Sequence, residues 1–267
     1  MVVDTDPSGT SLREIVRKRA EMLNSIASEP ADKPRVVDRL DVSRSTVDRA
    51  MDTLCDADLV RRDDNEYRVT VLGRHALSAY QEYVERTDAV AEAGPLLGSI
   101  PEWAEVNRQL VEMGTVRLAG SHAPEKAIMG AVRELESAQQ LSVFSPVIKS
   151  NYIRPVHEQV STRGLETRLV LNRGATESMA ELATVTDSVE SLVSADSFSL
   201  YTTDRKLPFL LYLMRGKESD AVGITVHENG GIVGTVTTDD SEAVAWGRDL
   251  FEDVFEEAEA VEVSEFA

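Results

Sequence analysis

Residues 43–54 read SRSTVDRAMDTL, and the pattern of side chains in this run decides how the N-terminal third of the chain folds. Val47, Ala50, Met51 and Leu54 recur at i, i+3, i+4 and i+7, the apolar stripe of an amphipathic helix. Arg44, Ser45, Asp48, Arg49 and Asp52 are then left facing outward. Ser43 supplies the start signal, because a serine hydroxyl can accept a backbone N–H left open by the first helical turn. The helix is predicted over about 44–57. Upstream, Val36, Val37 and Leu40 mark a short helix, and Leu12, Ile15, Val16, Met22, Leu23 and Ile26 mark a longer one, which stops at Pro30 and Pro34. Downstream, residues 59–62 and 67–70 are β-prone and flank Asp63-Asp64-Asn65-Glu66, the pattern of a hairpin. A long helix over about 72–93 follows. Gly94-Pro95, Gly98 and Pro101 then break the chain, so the linker is placed around 90–101.

Three helices followed by a hairpin are the sequence form of a winged helix-turn-helix. A recognition helix enters the major groove by its N-terminal part and needs long donors for base edges there, with short hydroxyls for phosphate. Arg44 and Arg49 supply the donors, Ser45 and Thr46 the hydroxyls, and Ser43 a phosphate contact at the helix start. Arg61 and Arg62, with Arg68, are placed on the wing to neutralise phosphates. Each has a plainer reading. Arg49 can pair with Asp48 or Asp52 along the helix, and Arg61 and Arg62 can be solvated charges on an edge strand. Asp48 and Asp52 on the same face repel phosphate.

Beyond Trp103 the pattern alternates. Helices are predicted near 102–113, 124–138, 151–162 and 175–192, and strands at 115–119, 141–144 and 166–171. This βαβαβ order implies a mostly parallel sheet with right-handed crossovers. Strands at 198–202, 209–214, 222–227 and 232–237 close the sheet antiparallel, with Gly230-Gly231 as a turn, and a helix over 242–258 ends the domain. The fold class is therefore α/β, or α+β taken as two domains: 10–75 the DNA-binding module, 76–101 a connecting helix and linker, 102–260 a mixed-sheet effector or assembly domain. Ligands bind such sheets beyond the carboxyl ends of parallel strands, which singles out Ser145, Lys149, Tyr152, Arg154 and Arg173. The three basic residues could hold a phosphorylated or carboxylated metabolite, or simply pair with the many acids around them. In the connecting helix, Leu77, Tyr80, Val84 and Val90 form a stripe that packs in trans as a dimer helix or in cis. A dimer is favoured, since symmetric operators are read by two-fold dimers.

The chain of 267 residues carries 47 acidic against 28 basic residues, a formal net charge of -19. The excess is not spread evenly. Through His75 there are 13 Lys+Arg and 15 Asp+Glu, net -2, while the remainder holds 15 and 32, net -17. The first segment is thus the one able to approach phosphate, and the acidity elsewhere suits a halophilic protein that stays hydrated at high salt. The single cysteine, Cys55, excludes an internal disulfide, and no apolar run reaches a membrane span, so the expected setting is cytoplasmic with no membrane contact.

The run from Ser43 to Leu54, closed by Asp58-Leu59-Val60, resembles archaeal winged-helix transcriptional regulators, which usually have glycine where this chain has Asp58. Phe144-Ser145-Pro146-Val147, Tyr152 and the run from Leu165 to Asn172 are similar to the effector segment of haloarchaeal regulators related to the methanogenesis-regulator and sugar-sensing families. That resemblance implies a C-terminal domain like half of a phospholipase-D-type fold, with an effector pocket or a dimer surface. An enzyme of that type needs a His two residues before a Lys as nucleophile and phosphate anchor. His122, His157 and His227 all lack the Lys, so no catalytic residue, metal or cofactor is expected. The leading reading is a dimeric regulator that binds double-stranded operator DNA and responds to a small-molecule effector. The alternative is a protein-interaction module built on a winged helix that does not bind DNA.

Overall fold

Two of the N-terminal helices carry both a capping side chain at their start and an apolar stripe to bury. The computed structural model describes residues 7–183 and 187–261, and the chain divides into two compact units, Met1–Asp88 and Ala89–Ala267. The first contains α1 (Pro7–Ser28), α2 (Lys33–Leu40), α3 (Arg44–Asp56), the hairpin β1 (Val60–Asp63) and β2 (Glu66–Val69), and most of α4 (Val71–Glu92). Asp32 caps α2 by accepting from Arg35 N, with Pro34 in the first turn, where its missing N–H costs no helical bond. Asp41 ends α2 in a left-handed conformation, φ 49°, and the chain reverses into α3. Val47, Ala50, Met51 and Leu54 of α3 are fully buried against Leu23 and Ile26 of α1 and Val36 of α2.

The entry into the hairpin is the tightest point of this unit. Asp58 takes φ 56°, the left-handed conformation that glycine adopts without cost. Thr70 Oγ1 donates to the Asp58 carbonyl at 2.6 Å and accepts from Gly73 N at 2.9 Å, which ties the start of α4 to the start of β1. Gly73 is required there, because a Cβ at that position would stand 2.0 Å from the Leu59 carbonyl oxygen. Leu77 is buried and Tyr80 partly buried in the same core, and Gln81 Nε2 donates to Asn24 Oδ1 of α1. The inner stripe of α4 is therefore used in cis, within its own unit. Tyr83 and Val90 remain exposed.

The second unit runs α5 (Gly94–Gly98), α6 (Arg108–Glu112), β3 (Thr115–Leu118), a 3-10 turn (Pro124–Ile128), α7 (Met129–Leu135), β4 (Gln140–Ser145), α8 (Ser150–Arg163), β5 (Glu166–Asn172), α9 (Arg173–Ala183), α10 (Asp187–Val193), β6 (Phe198–Thr203), β7 (Leu210–Arg215), β8 (Asp220–Glu228), β9 (Gly231–Thr238), α11 (Ser241–Phe255) and β10 (Glu259–Ala260). Leu96, inside the stretch that glycine and proline mark as a linker, is fully buried in this unit's core. The helix expected near 102–113 shrinks to α6, where Asn107 caps Gln109 N and Leu110 N. Residues 184–186, expected inside one helix over 175–192, lie outside the described residues.

One eight-stranded sheet has the order β10-β6-β5-β4-β7-β8-β9-β3. Its parallel set is β4, β5 and β6, which corrects the expected order in two places. The strand at 115–119 is β3, antiparallel to β9 at the far edge, and does not open the βαβαβ unit. The strand at 198–202 is β6, parallel to β5 and not one of the antiparallel closing strands. Alternation along the strands feeds two cores. Leu141, Leu171, Leu200 and Tyr212 face α8, α9 and α10, while Phe144, Val170, Leu211 and Ile224 face α5, α6 and α11.

Gly73→Ala is expected to destabilise the N-terminal unit by about 2 kcal/mol, the scale of overpacking against backbone that cannot move. Gly174→Ala, in α9 with open space around it, is expected to be neutral or to gain up to about 1 kcal/mol. Urea unfolding followed by circular dichroism measures both, and equal midpoints for the two variants would contradict the Gly73 contact.

Candidate nucleic-acid interface and ligand cavity

The start of α3 is a cluster of hydroxyls. Ser43 Oγ accepts from Thr46 N at 3.2 Å and lies 3.0 Å from Ser45 Oγ and 2.8 Å from Thr46 Oγ1. Arg44 is exposed beside it, with no hydrogen bond or ion pair recorded among the described residues. Arg49 Nε donates to the Ser45 carbonyl at 3.3 Å, which braces the side chain along the helix and leaves the end of the guanidinium open. Arg49 pairs with neither Asp48 nor Asp52.

Asp48 is engaged elsewhere. Lys33 Nζ, at the start of α2, stands 2.7 Å from its carboxylate, and this hydrogen bond holds the Asp48 carboxyl below the usual carboxylate range, with the Lys33 and Arg44 charges assisting. One of the two acids that would repel a phosphate on this face is thus paired with a cation, while Asp52 stays exposed. Sequence reasoning missed Lys33, since only the packing of α2 on α3 brings residues 33 and 48 together. The same ammonium lies 5.8 Å from the centre of the Tyr67 ring of β2, so it bridges all three parts of the module.

The hairpin arginines divide. Arg61 is exposed on β1 and has no side-chain partner among the described residues. Arg62 Nε donates to the Asp64 carbonyl at 3.1 Å inside the turn. Arg68, also placed on the wing by its sequence, is held by Asp63 at 3.0 Å and Glu66 at 3.2 Å.

In the second unit the five candidate ligand residues do not converge. Ser145, Lys149 and Tyr152 gather where β4 runs into α8. Ser145 Oγ donates to the Val147 carbonyl at 2.5 Å and accepts from Val147 N at 3.2 Å, forming the turn. Lys149 Nζ donates to the Gly230 carbonyl at 2.5 Å, and Tyr152 Oη shares a 2.5 Å hydrogen bond with His227 Nε2, both on the β8–β9 hairpin. Arg173 lies apart at the end of β5, where Asp204 grips it at 2.8 and 3.0 Å. Arg154 is exposed on the outside of α8, over a hollow it shares with Glu136 and Glu158. The three basic side chains therefore do not form one anion site.

His227 was not a candidate by sequence, which offers no signal for it beyond its place before a turn. Burial, with the Lys149 charge in addition, pushes its imidazolium down to about 4, and its Nδ1 is buried with no hydrogen-bond partner among the described residues. Beneath this pair lies a cavity of about 110 Å³, walled by α7, α8 and the sheet face of β4, β5 and β7. Its lining is almost wholly apolar, with Ala131, Val143, Ile153, Leu169 and Leu210 among the walls. Among the described residues no group of three or more His, Cys, Asp or Glu is placed to hold a metal ion, and no helix is long and apolar enough to cross a membrane.

Residues 122–257 match the family of the middle domain of the methanogenesis regulatory protein FilR1, and residues 10–92 match the HVO_A0261 N-terminal domain. No curated protein matches the chain. Among solved structures it is similar to TrmBL2, an archaeal chromatin protein described as showing a novel mode of DNA binding, at 15% identity over 94% of this chain and 98% of that one, TM-score 0.40. It is also similar to NucT from Helicobacter pylori, at 11% identity over 55% and 98%, TM-score 0.41. A third likeness is to Nuc from Salmonella typhimurium, a phospholipase D family member, at 9% identity over 56% and 99%, TM-score 0.41.

The depressed His227 has a thermodynamic consequence. Below its ordinary value of 6.5 the unfolded imidazole takes up a proton that the folded one refuses until about 4. Stability present above pH 6.5 is therefore lost on acidification through that window. The urea midpoint is expected to fall further between about pH 7 and about pH 5 in the wild type than in His227→Gln, which keeps a partner for Tyr152 but does not titrate. Equal falls would assign the loss to carboxylates.

Proposed function

The chain belongs to the family of the methanogenesis regulatory protein FilR1 middle domain, and from that membership we propose a transcription regulator that binds double-stranded DNA through its N-terminal unit. In this reading α2 and α3 are the helix-turn-helix, α3 lies in the major groove, and β1–β2 is the wing. The carrying observation is the open guanidinium pair at the start of α3, Arg44 and Arg49, beside a hydroxyl cluster and an Asp48 already neutralised by Lys33. Long donors at this position suit guanine edges, and Ser43, Ser45 and Thr46 suit the flanking phosphate. Arg61 and Arg62 would contact the backbone beside the groove, Arg61 more strongly because it has no side-chain partner among the described residues to give up.

The second unit is proposed as an effector domain that captures a small molecule without turning it over, since the sequence lacks the His-x-Lys pair of a phospholipase-D-type enzyme. A dimer remains part of the proposal. With Leu77 and Tyr80 committed in cis, its contact would use the outward side of α4, where Tyr83 is 63% and Val90 46% exposed. The haloarchaeal setting is proposed from the acid excess, and the cytoplasmic one from the lone cysteine, which suits a reducing compartment. A second reading, an interaction module that does not bind DNA, is favoured by Asp52 and Asp56, which stay exposed on α3.

Selection from randomised duplexes followed by fluorescence anisotropy tests the assignment. Arg44→Ala with Arg49→Ala is expected to cost at least about 30-fold in affinity for the selected site, as each bidentate base contact contributes roughly 1–3 kcal/mol. Arg61→Ala should weaken all sequences alike and reduce the salt slope by about one. Lys33→Ala should weaken binding by releasing the Asp48 charge. Full affinity in the double variant would remove α3 as the reading helix, and no enrichment from a folded protein would favour the interaction module.

A further inference from the structure

The cavity under α8 separates its possible ligands by what its walls can and cannot satisfy. No charged side chain lines it, and nearly every polar group that does is already engaged. Ser145 is bonded to Val147, Tyr152 to His227, Thr167 to the Leu165 carbonyl at 3.2 Å, Tyr212 to Thr237 and Thr225 to Thr235 at 3.2 Å. Asn151 is the exception. It lines the cavity, its Oδ1 is buried without a partner, and no hydrogen bond of its amide nitrogen is recorded among the described residues. Four residues on, Pro155 also lines the cavity and has no N–H to donate to the Asn151 carbonyl, so the helix leaves that oxygen without its usual donor as well.

A buried polar group without a partner costs stability unless a ligand or water satisfies it. A water on Asn151 would leave the apolar walls uncovered, and apolar cavities of about 150 Å³ take up benzene. The space of about 110 Å³ is somewhat smaller than that. A sugar or phosphosugar would bring several hydroxyls or a charge into walls with one free amide, leaving most of them unpaired.

We infer that this cavity binds a small, neutral, largely apolar molecule with a single hydroxyl, a phenol or a cyclic or short-chain alcohol of about six to eight non-hydrogen atoms, with the hydroxyl on the Asn151 amide. The inference rests on the effector-domain reading above and gives it a ligand class. A hydroxyl both donates and accepts, so it suits Asn151 whichever way the amide is turned. The ring or chain takes the apolar walls of Ala131, Val143 and Leu169. For a ligand of this size the expected Kd lies between about 10 μM and 1 mM.

The test uses the full chain without DNA, with phenol, cyclohexanol, benzene and glucose 6-phosphate as probes, read by calorimetry and by methyl NMR shifts of Ile153, Leu169 and Leu210. Phenol and cyclohexanol are expected to bind and shift those methyls, benzene to bind at least about tenfold more weakly, and glucose 6-phosphate to do neither. Asn151→Leu should abolish the preference for phenol over benzene, and Ala131→Phe should abolish binding of both. If a variant does not fold, the methyl shifts of the wild type still decide. Absence of binding by both hydroxyl probes at about 10 mM overturns the inference. So does binding that leaves the methyls unmoved, or glucose 6-phosphate moving them. A protein that binds phenol and no DNA loses the regulator reading alone, and one that binds its operator and no probe loses only this inference.

Discussion

The second unit depends on one pairing: β7 hydrogen-bonds antiparallel to β4 on the side opposite β5. Because β4, β5 and β6 are parallel, each connection between them must cross over the sheet, and α8 is the crossover that leaves β4. With β5 to one side and β7 to the other, the end of β4 becomes the place where the chain's direction through the sheet reverses. The turn at Ser145, the Lys149 bond to the β8–β9 hairpin and the Tyr152–His227 pair all lie at that reversal. The cavity beneath them follows from the same arrangement, since α7 and α8 rest on the face that β4, β5 and β7 present.

The first unit is distinguished by which of its cations stay unpaired in a chain with so many acids. Exposed ion pairs contribute little to stability, typically under about 1 kcal/mol, but they decide which charges remain available to a partner. Arg68 is taken by Asp63 and Glu66, and Arg39 by Glu29. Lys33 works the other way: by occupying Asp48 it leaves Arg44 and Arg49 without an acid in contact. Basic side chains thus divide between those consumed in pairing and Arg44 and Arg49, which stay open in the proposed reading.

Much of this was legible in the sequence, and the parts that were not share a cause. Helical period and capping residues located α1 to α4 within a few residues, because both are local properties of the chain. The hairpin was legible for the same reason, through its run of turn-forming residues. Strand partners were not. Alternation identifies 115–118 and 198–203 as strands, yet says nothing about which neighbour each pairs with or in which direction, so β3 and β6 exchanged roles. Tertiary neighbours were equally hidden. Nothing near Arg173 in sequence announces Asp204, and nothing near Asp48 announces Lys33. The apolar cavity was hidden for a further reason: its walls read as ordinary core, and its one distinguishing group, Asn151, reads as an ordinary first-turn residue.

Charge and cavity then bear on each other. The body around the cavity carries nearly all of the chain's excess acid, so an anionic effector would approach against a field of its own sign unless several cations converged to receive it. They do not converge, since Arg173 is bound to Asp204 and Arg154 lies outside α8. A neutral, apolar ligand meets no such barrier. In the proposed high-salt setting the contrast sharpens, because screening shortens the reach of charge to about 3 Å at 1 M while apolar burial is not weakened by it. Phosphate contacts from the wing would lose much of their strength there through counterion release. Discrimination would then fall to the base contacts of Arg44 and Arg49. Both proposed sites thus lean on short-range complementarity, hydrogen bonds to base edges in one unit and apolar packing around one amide in the other, which is the recognition that concentrated salt leaves intact.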